Sequence, residues 1–381
     1  MANPTVDPSS SASEALPTIP GSEELIERLR RENAQLRAEL AELRSARAPV
    51  PGNVGWESEM ASGIVYSDDR SHTSAKSAGR LLTQLSGLSK ERMKAGKIRN
   101  SDEFDYLPKP SADEAQLEAD FIRWGYCLVA DAMTPEQIKA QVDRIVDQAA
   151  AERSEGVAIM TNARDAGQLV NNLVLKGQVF RDAVEFKETA AQRGPLIDRL
   201  LTKVMGEGFG LGCAHGSIVH EGGGLQELHI DQGGLPMPYP PYPFGSLIIW
   251  CYTDFNLDAG GTYIVPGSHR TPSGSTSFHE GVDLLQLLDA EPGLVSICAP
   301  PGTCILTDTR VLHCGGRRTA SGTRYAMRCH YNRKFIRALH EQSVANVHVP
   351  DDVYAVLSDR LKDMMGITQN NANPVGEMSS R

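Results

Sequence analysis

The sequence predicts a mainly β protein with flanking helices, preceded by a separate coiled-coil helix, and three observations carry that reading. From Phe209 onward short β-rich runs follow one another between Gly, Pro and Asp: SIVH, LHID, SLIIWCYT, TYIVPG, LVSICA, CILTD, VLHCGG and TRYAMRCHY. Many short strands with turn signals in one continuous block favour a sandwich or barrel over a βαβ sheet. Ahead of this block, QLEADFIRWGYCLVADAMTPEQIKAQVDRIVDQAAAER spaces its apolar residues as two helices around a short strand, GYCLV. Nearer the start, SEELIERLRRENAQLRAELAELR repeats every seven residues.

Residues 1–20 are rich in Ser, Pro and Ala, with too few large apolar side chains to offset the entropy of ordering, so they are expected to be disordered. Residues 22–46 form the coiled-coil helix. Leu29, Leu36 and Leu43 take d positions, and Ile26, Asn33 and Leu40 take a positions. The g-position Glu32 and Glu39 would face Arg37 and Arg44 of a parallel twin, and a single a-position Asn favours two strands. A homodimer through this helix is the expectation. Residues 47–113, opening with the linker ARAPVPGN, read as a linker and irregular arm. The main domain, 114–340, starts with the helix, strand and second helix above, the latter capped at Thr134. Helices are expected to continue through Phe180 to Val204 before the strands begin. Residues 341–381 supply one further helix, VPDDVYAVLSDRLKDMM, and a loose tail.

Composition narrows the function classes. The chain of 381 residues, 40% hydrophobic, can bury a sizeable core, and its net charge of −10 offers no basic field for nucleic acid or an anionic membrane. No apolar run is long enough to span a bilayer. The seven cysteines are odd in number, form no CxxC pair and sit mostly in apolar runs, which fits reduced core residues of a cytoplasmic protein.

The chemistry starts at LHID. On a strand, His229 and Asp231 leave the same face and can converge on one ion. A HxD or HxE pair arises by chance about once in a chain with ten histidines, so its weight depends on its company. His313, in ILTDTRVLHCGG, lies on a later strand beside small residues. Two histidines and one carboxylate with open positions opposite form the facial triad of non-haem Fe(II) oxygenases, though a zinc hydrolase would use similar residues. The segment HCGGRRTASGTRYAMRCHY reads as a hairpin that brings Arg324 beside His313. A guanidinium buried there needs an anion, and a dicarboxylate can chelate iron at one end and meet Arg324 at the other. Arg328 shares the strand parity of Arg324 and is the alternative. His269, in the turn PGSHR, reads as a loop residue. After Asp231, Gly233-Gly234 and five prolines end the strand. Met237, Tyr239, Tyr242 and Phe244 would then form a stiff rim beside the substrate.

From Ala115 to His340 the sequence resembles the phytanoyl-CoA dioxygenase family of Fe(II)/2-oxoglutarate oxygenases. Gln226, the HID pair, GGTYIVPGSHR, His313 and Arg324 occur in that family's order, and FIRWGYCLV followed by MTPEQIKA is similar to its N-terminal signature. The resemblance implies a double-stranded β-helix, or jelly-roll and cupin-like core, with helices outside. It implies iron on His229, Asp231 and His313, with Gln226, Thr262 and Arg324 holding 2-oxoglutarate. It also implies O2 as co-reactant and oxidation, most simply hydroxylation, of a small-molecule C–H bond with release of succinate and CO2. Ala259-Gly260-Gly261 replaces the Asn-Gly frequent in the family, a change a turn tolerates. Halogenating relatives lose the metal aspartate, whereas Asp231 is kept. The rival from another class is a non-catalytic jelly-roll scaffold joined by its coiled coil. A scaffold has no physical need for Gln226, His229, Asp231, His313 and Arg324 together.

Overall fold

The computed structural model describes residues 97–161, 166–234, 240–270, 288, 290–336 and 349–367. The coiled coil expected at 22–46, the N-terminal segment 1–20 and the arm as far as residue 96 lie outside the described residues, as do Met237 and Tyr239.

Among the described residues, eleven strands form two sheets. The larger has the order β2 (Tyr126–Val129), β9 (Cys304–Asp308), β6 (Gly245–Cys251), β11 (Thr323–Asn332), β5 (Gly210–His220), β4 (Gly167–Val170), β3 (Ile159–Thr161). The smaller has the order β1 (Arg99–Asn100), β8 (Val295–Ser296), β7 (Thr262–Ile264), β10 (His313–Gly315). From β5 onward the chain crosses between the sheets: β5 large, His229 bridged to the small sheet, β6 large, β7 and β8 small, β9 large, β10 small, β11 large. That winding is a double-stranded β-helix, as the fold class anticipated.

Period-two alternation explains why the large-sheet strands are apolar throughout. On β6, Leu247, Ile249 and Cys251 face the small sheet and pack with Ile264, Val295 and Ile297. Ile248 and Trp250 face the other way, into the layer of helices. A strand covered on both sides reads as the unbroken run SLIIWC. The covering helices are α1 (Glu114–Trp124), α2 (Pro135–Ser154), α3 (Gln178–Val184) and α4 (Gly194–Met205), which contribute Phe121, Ile145, Phe180 and Leu201 to that layer. Each full burial of such a side chain stabilises by roughly 1.5–3 kcal/mol. The Asp113 side chain caps α1 by accepting from the amides of Ala115 and Gln116. Thr134 and Gln137 close a capping box on α2, with Pro135 in the first turn. Gly125 ends α1 at φ +77°, and a Cβ there would stand 2.2 Å from Val311 Cγ2, so the position requires glycine. Among the described residues no helix is long and apolar enough to cross a membrane.

Several local expectations change. The domain begins before residue 114: β1 pairs in parallel with β8, and Ile98, Phe104 and Leu107 are buried. Asn100 Oδ1 accepts from Leu257 N at 2.8 Å and Ser101 Oγ from Cys298 N at 2.9 Å, tying this end of the arm to the small sheet. Between α2 and α3 the chain makes β3 and β4, which extend the large sheet beyond β5, where only helices were expected. The C-terminal helix is two, α5 (Asp351–Val356) and α6 (Asp359–Met365), because Ser358 caps a new start by accepting from Leu361 N.

Candidate active site

LHID is not a strand. His229 makes a single bridge to His313, the two residues exchanging backbone hydrogen bonds of 2.9 and 2.8 Å, and Asp231 already begins a 3-10 turn that runs to Gly234. A Gly-Gly pair followed by prolines offers no ladder to continue, so the chain turns at once. The turn, rather than strand parity, brings Asp231 back beside His229. The carboxylate lies 3.6 Å from His229 Nε2 and 3.5 Å from His313 Nε2. One ligand atom from each of His229, Asp231 and His313 falls within 4.8 Å of the others.

Both histidines are held in one tautomer. His229 Nδ1 donates to the Glu227 carbonyl at 2.6 Å and His313 Nδ1 to the Val311 carbonyl at 3.0 Å. A carbonyl only accepts, so each Nδ1 carries the proton and each Nε2 presents its lone pair to the site. Burial lowers the His313 pKa and keeps the ring neutral. Burial also opposes charge on His229, but Asp231 beside it outweighs that and raises the pKa. Burial works against the Asp231 carboxylate as well, yet His313, His330 and His229 around it hold its pKa well below the usual carboxylate range. Asp231 Oδ2 is buried and accepts no hydrogen bond.

The pocket leading from this group runs between the sheets. Gln226 and Thr262 line it, as do Arg324 and Arg328. Gln226 Oε1 accepts from Gly315 N at 2.9 Å, and Thr262 is paired with Gly315 across β7 and β10, so the two sit together on the small-sheet wall. The expected hairpin between His313 and Arg324 does not form. β10 belongs to the small sheet and β11 to the large one, and the two residues meet by facing each other across the sandwich. Arg324 is buried, its Nη1 donates to the Gly260 carbonyl and its guanidinium lies 5.0 Å over the Phe255 ring. Burial and the charge of Arg328 push its pKa down to about 10, which leaves it cationic at neutral pH. Its Nε has no hydrogen-bond partner.

His330 has no carboxylate two residues on, so no ligand motif marks it in the sequence. It lines the same pocket, with Nε2 3.8 Å from Asp231 Oδ2. The signal that finds it is parity: Arg324, Ala326, Arg328 and His330 share one face of β11. His269 is a loop residue as expected, buried in the turn after β7 with Nε2 donating to the Ile122 carbonyl at 3.0 Å. The rim expectation changes. Tyr242 stacks edge-on against Phe244 at 5.9 Å and under Arg333 at 4.6 Å, and neither ring lines the pocket. Arg310 Nη1 and Arg333 Nε donate to the carbonyls of Pro240 and Pro243, so this stretch is a tethered anchor.

Two imidazoles and a carboxylate with an unshared oxygen fit a borderline-hard divalent metal such as iron(II), and two guanidiniums whose Nε atoms have no hydrogen-bond partner fit an organic acid. The fold and this pocket together define the class of the metal-dependent oxygenases built on a jelly roll. The chain belongs to the phytanoyl-CoA dioxygenase (PhyH) family, whose profile matches residues 121–326, and it is a non-haem iron and 2-oxoglutarate-dependent oxygenase. It is 26% identical to the multifunctional dioxygenase prhA of Penicillium brasilianum, over 67% of this chain and 83% of that one. It is 24% identical to the multifunctional dioxygenase ausE of Emericella nidulans, over 63% of this chain and 79% of that one. Among solved structures, iron-bound EctD from S. alaskensis aligns over 63% of this chain and 84% of its own, with a TM-score of 0.48 and 15% identity. The non-heme alpha ketoglutarate dependent carbocyclase SnoK aligns over 59% and 87%, with a TM-score of 0.46 and 17% identity.

Proposed function

We propose that His229, Asp231 and His313 hold the iron, that Arg324 with Gln226 and Thr262 holds 2-oxoglutarate, and that the enzyme hydroxylates a C–H bond of a small molecule. The observation that carries this reading is the convergence of three ligand atoms, two of them with tautomers locked by backbone carbonyls, at one end of a pocket that also contains a buried arginine whose Nε has no hydrogen-bond partner. Iron and 2-oxoglutarate, when bound, supply the oxidation: substrate, O2 and 2-oxoglutarate give hydroxylated substrate, succinate and CO2.

The chain's own residues supply position. The carbonyls of Glu227 and Val311 aim the two Nε2 atoms without moving parts. The Arg324 fork is fixed by the Gly260 carbonyl and the Phe255 ring, so a distal carboxylate meets a guanidinium already in place. Leu247, Ile249 and Phe255 line the remainder and keep water away from the reacting carbon. Retention of Asp231 favours hydroxylation over halogenation. Succinate formation that depends on both iron and 2-oxoglutarate, and that rises when a panel of small molecules is screened, tests the assignment. Purified protein that releases no succinate with both present would sink it.

The heptads of residues 22–46, with Asn33 at a central a position, support a parallel homodimer. Deleting residues 1–48 should halve the sedimenting mass and leave succinate formation intact, and an unchanged mass would remove the coil as the dimer contact. The seven free cysteines support a cytoplasmic location.

A further inference from the structure

The pocket contains more positive charge than its cofactors can use. Asp231 is the only carboxylate among the described residues that line it, against two guanidiniums, Arg324 and Arg328. Arg328 lies on the same face of β11 as Arg324, four residues further along, which places their Cα atoms roughly 13 Å apart at the rise of an extended strand. The two are therefore separate stations. Arg324 sits by Phe255 and Gly260, whereas Arg328 lies opposite Ile249 and His215 in the ladder, and its charge is felt by Asp231, His229 and His313. Arg328 makes no salt bridge among the described residues, and its Nε is buried without a hydrogen-bond partner.

Resting on the proposed metal and 2-oxoglutarate assignments, the charges can be followed group by group. Iron(II), Asp231, the two carboxylates of 2-oxoglutarate and Arg324 cancel. Arg328 leaves one positive charge, partly buried and without a salt bridge among the described residues, in the pocket that also holds His229, Asp231 and His313. A partly buried cation without a counter-ion favours an anionic ligand, and a planar guanidinium binds a carboxylate through two parallel hydrogen bonds. We infer that Arg328 is a substrate-binding residue that receives a carboxylate, and that the enzyme therefore acts on a small organic acid held by one carboxylate close to the iron.

The source of that carboxylate is either the substrate or the metal-proximal end of 2-oxoglutarate, and one experiment separates them. The full-length protein is loaded with cobalt(II), saturated with 2-oxoglutarate, and titrated with acetate or with acetamide while the cobalt absorption bands are followed. Acetate should perturb the bands saturably, acetamide should not, and Arg328→Gln should weaken the acetate response at least tenfold. The same variant should keep its 2-oxoglutarate affinity within threefold of the parent, which also reports that it is folded. Arg328→Lys should retain part of the acetate response, since the charge remains while the fork is lost. Equal responses to acetate in the parent and Arg328→Gln, or equal responses of the parent to acetate and acetamide, would overturn the inference. So would a tenfold loss of 2-oxoglutarate affinity in Arg328→Gln, which would assign the guanidinium to the cosubstrate. Cobalt bands of the parent that do not answer 2-oxoglutarate at all would overturn the metal-site assignment, and the Arg328 assignment with it.

Discussion

The two faces of β11 set folding against function within one strand. Its outward face presents Met327, Cys329 and Tyr331 to the helices, where they join the largest apolar cluster. Its inward face presents Arg324, Ala326, Arg328 and His330 to the pocket. Both faces are largely buried, so burial alone does not tell them apart. The outward residues are apolar or satisfied, as with Tyr331, whose hydroxyl donates to the Val184 carbonyl at 2.9 Å. The inward arginines are left with unpaired Nε atoms. A buried charge with unsatisfied donors opposes folding, and the carboxylates proposed above would complete these two.

That contrast predicts losses of different kinds on the two sides. Replacing Asp231 with Ala should reduce succinate formation by more than about 100-fold, beyond what loss of an outer metal partner costs, while the thermal midpoint falls little. A variant that keeps parental turnover would remove Asp231 from the site. On the helix-facing side, Trp250→Ala should cost about 3–5 kcal/mol of stability in denaturant titration. Iron and 2-oxoglutarate binding should survive in whatever fraction stays folded. If binding in that fraction fell as it does for Asp231→Ala, the two faces would not be separable. Arg324→Ala removes charge-assisted hydrogen bonds worth about 1.5–3 kcal/mol, so 2-oxoglutarate affinity should drop roughly 10- to 100-fold with iron affinity preserved. Arg328→Ala should do less to 2-oxoglutarate, and the reverse order would exchange their roles. The smallest effect belongs to Tyr331→Phe, which should lose about 1 kcal/mol and leave turnover unchanged.

The sequence carried the inward face of the site better than its backbone. His229, Asp231 and His313, singled out as a ligand set, come together in one group, and Arg324, singled out as a buried guanidinium, lines the same pocket. Gln226 and Thr262 came through the family resemblance and lie on the pocket wall. What failed was local geometry. LHID has strand-like residues, but the Gly-Gly turn and prolines that follow override them, so Asp231 reaches His229 through a 3-10 turn. His313 and Arg324 were expected on adjacent strands because a Gly-rich segment joins them. Sandwich crossovers use the same turn chemistry as hairpins, and only the tertiary fold distinguishes the two. His330 has no motif, and only the parity of β11 exposes it. Tyr242 and Phe244 were credited with a substrate role on composition, but aromatic residues beside prolines serve equally to anchor a loop, as Arg333 and Arg310 show.

The most direct test of the central claim is spectroscopic and needs no substrate. Iron(II) and 2-oxoglutarate are added to the protein without oxygen, and the visible spectrum is compared with those of His229→Ala and His313→Ala. The parent should develop the weak charge-transfer band of a keto-acid chelated to ferrous iron, and neither variant should show it. Parental iron and 2-oxoglutarate binding in both variants would contradict the assignment of the metal to His229, Asp231 and His313.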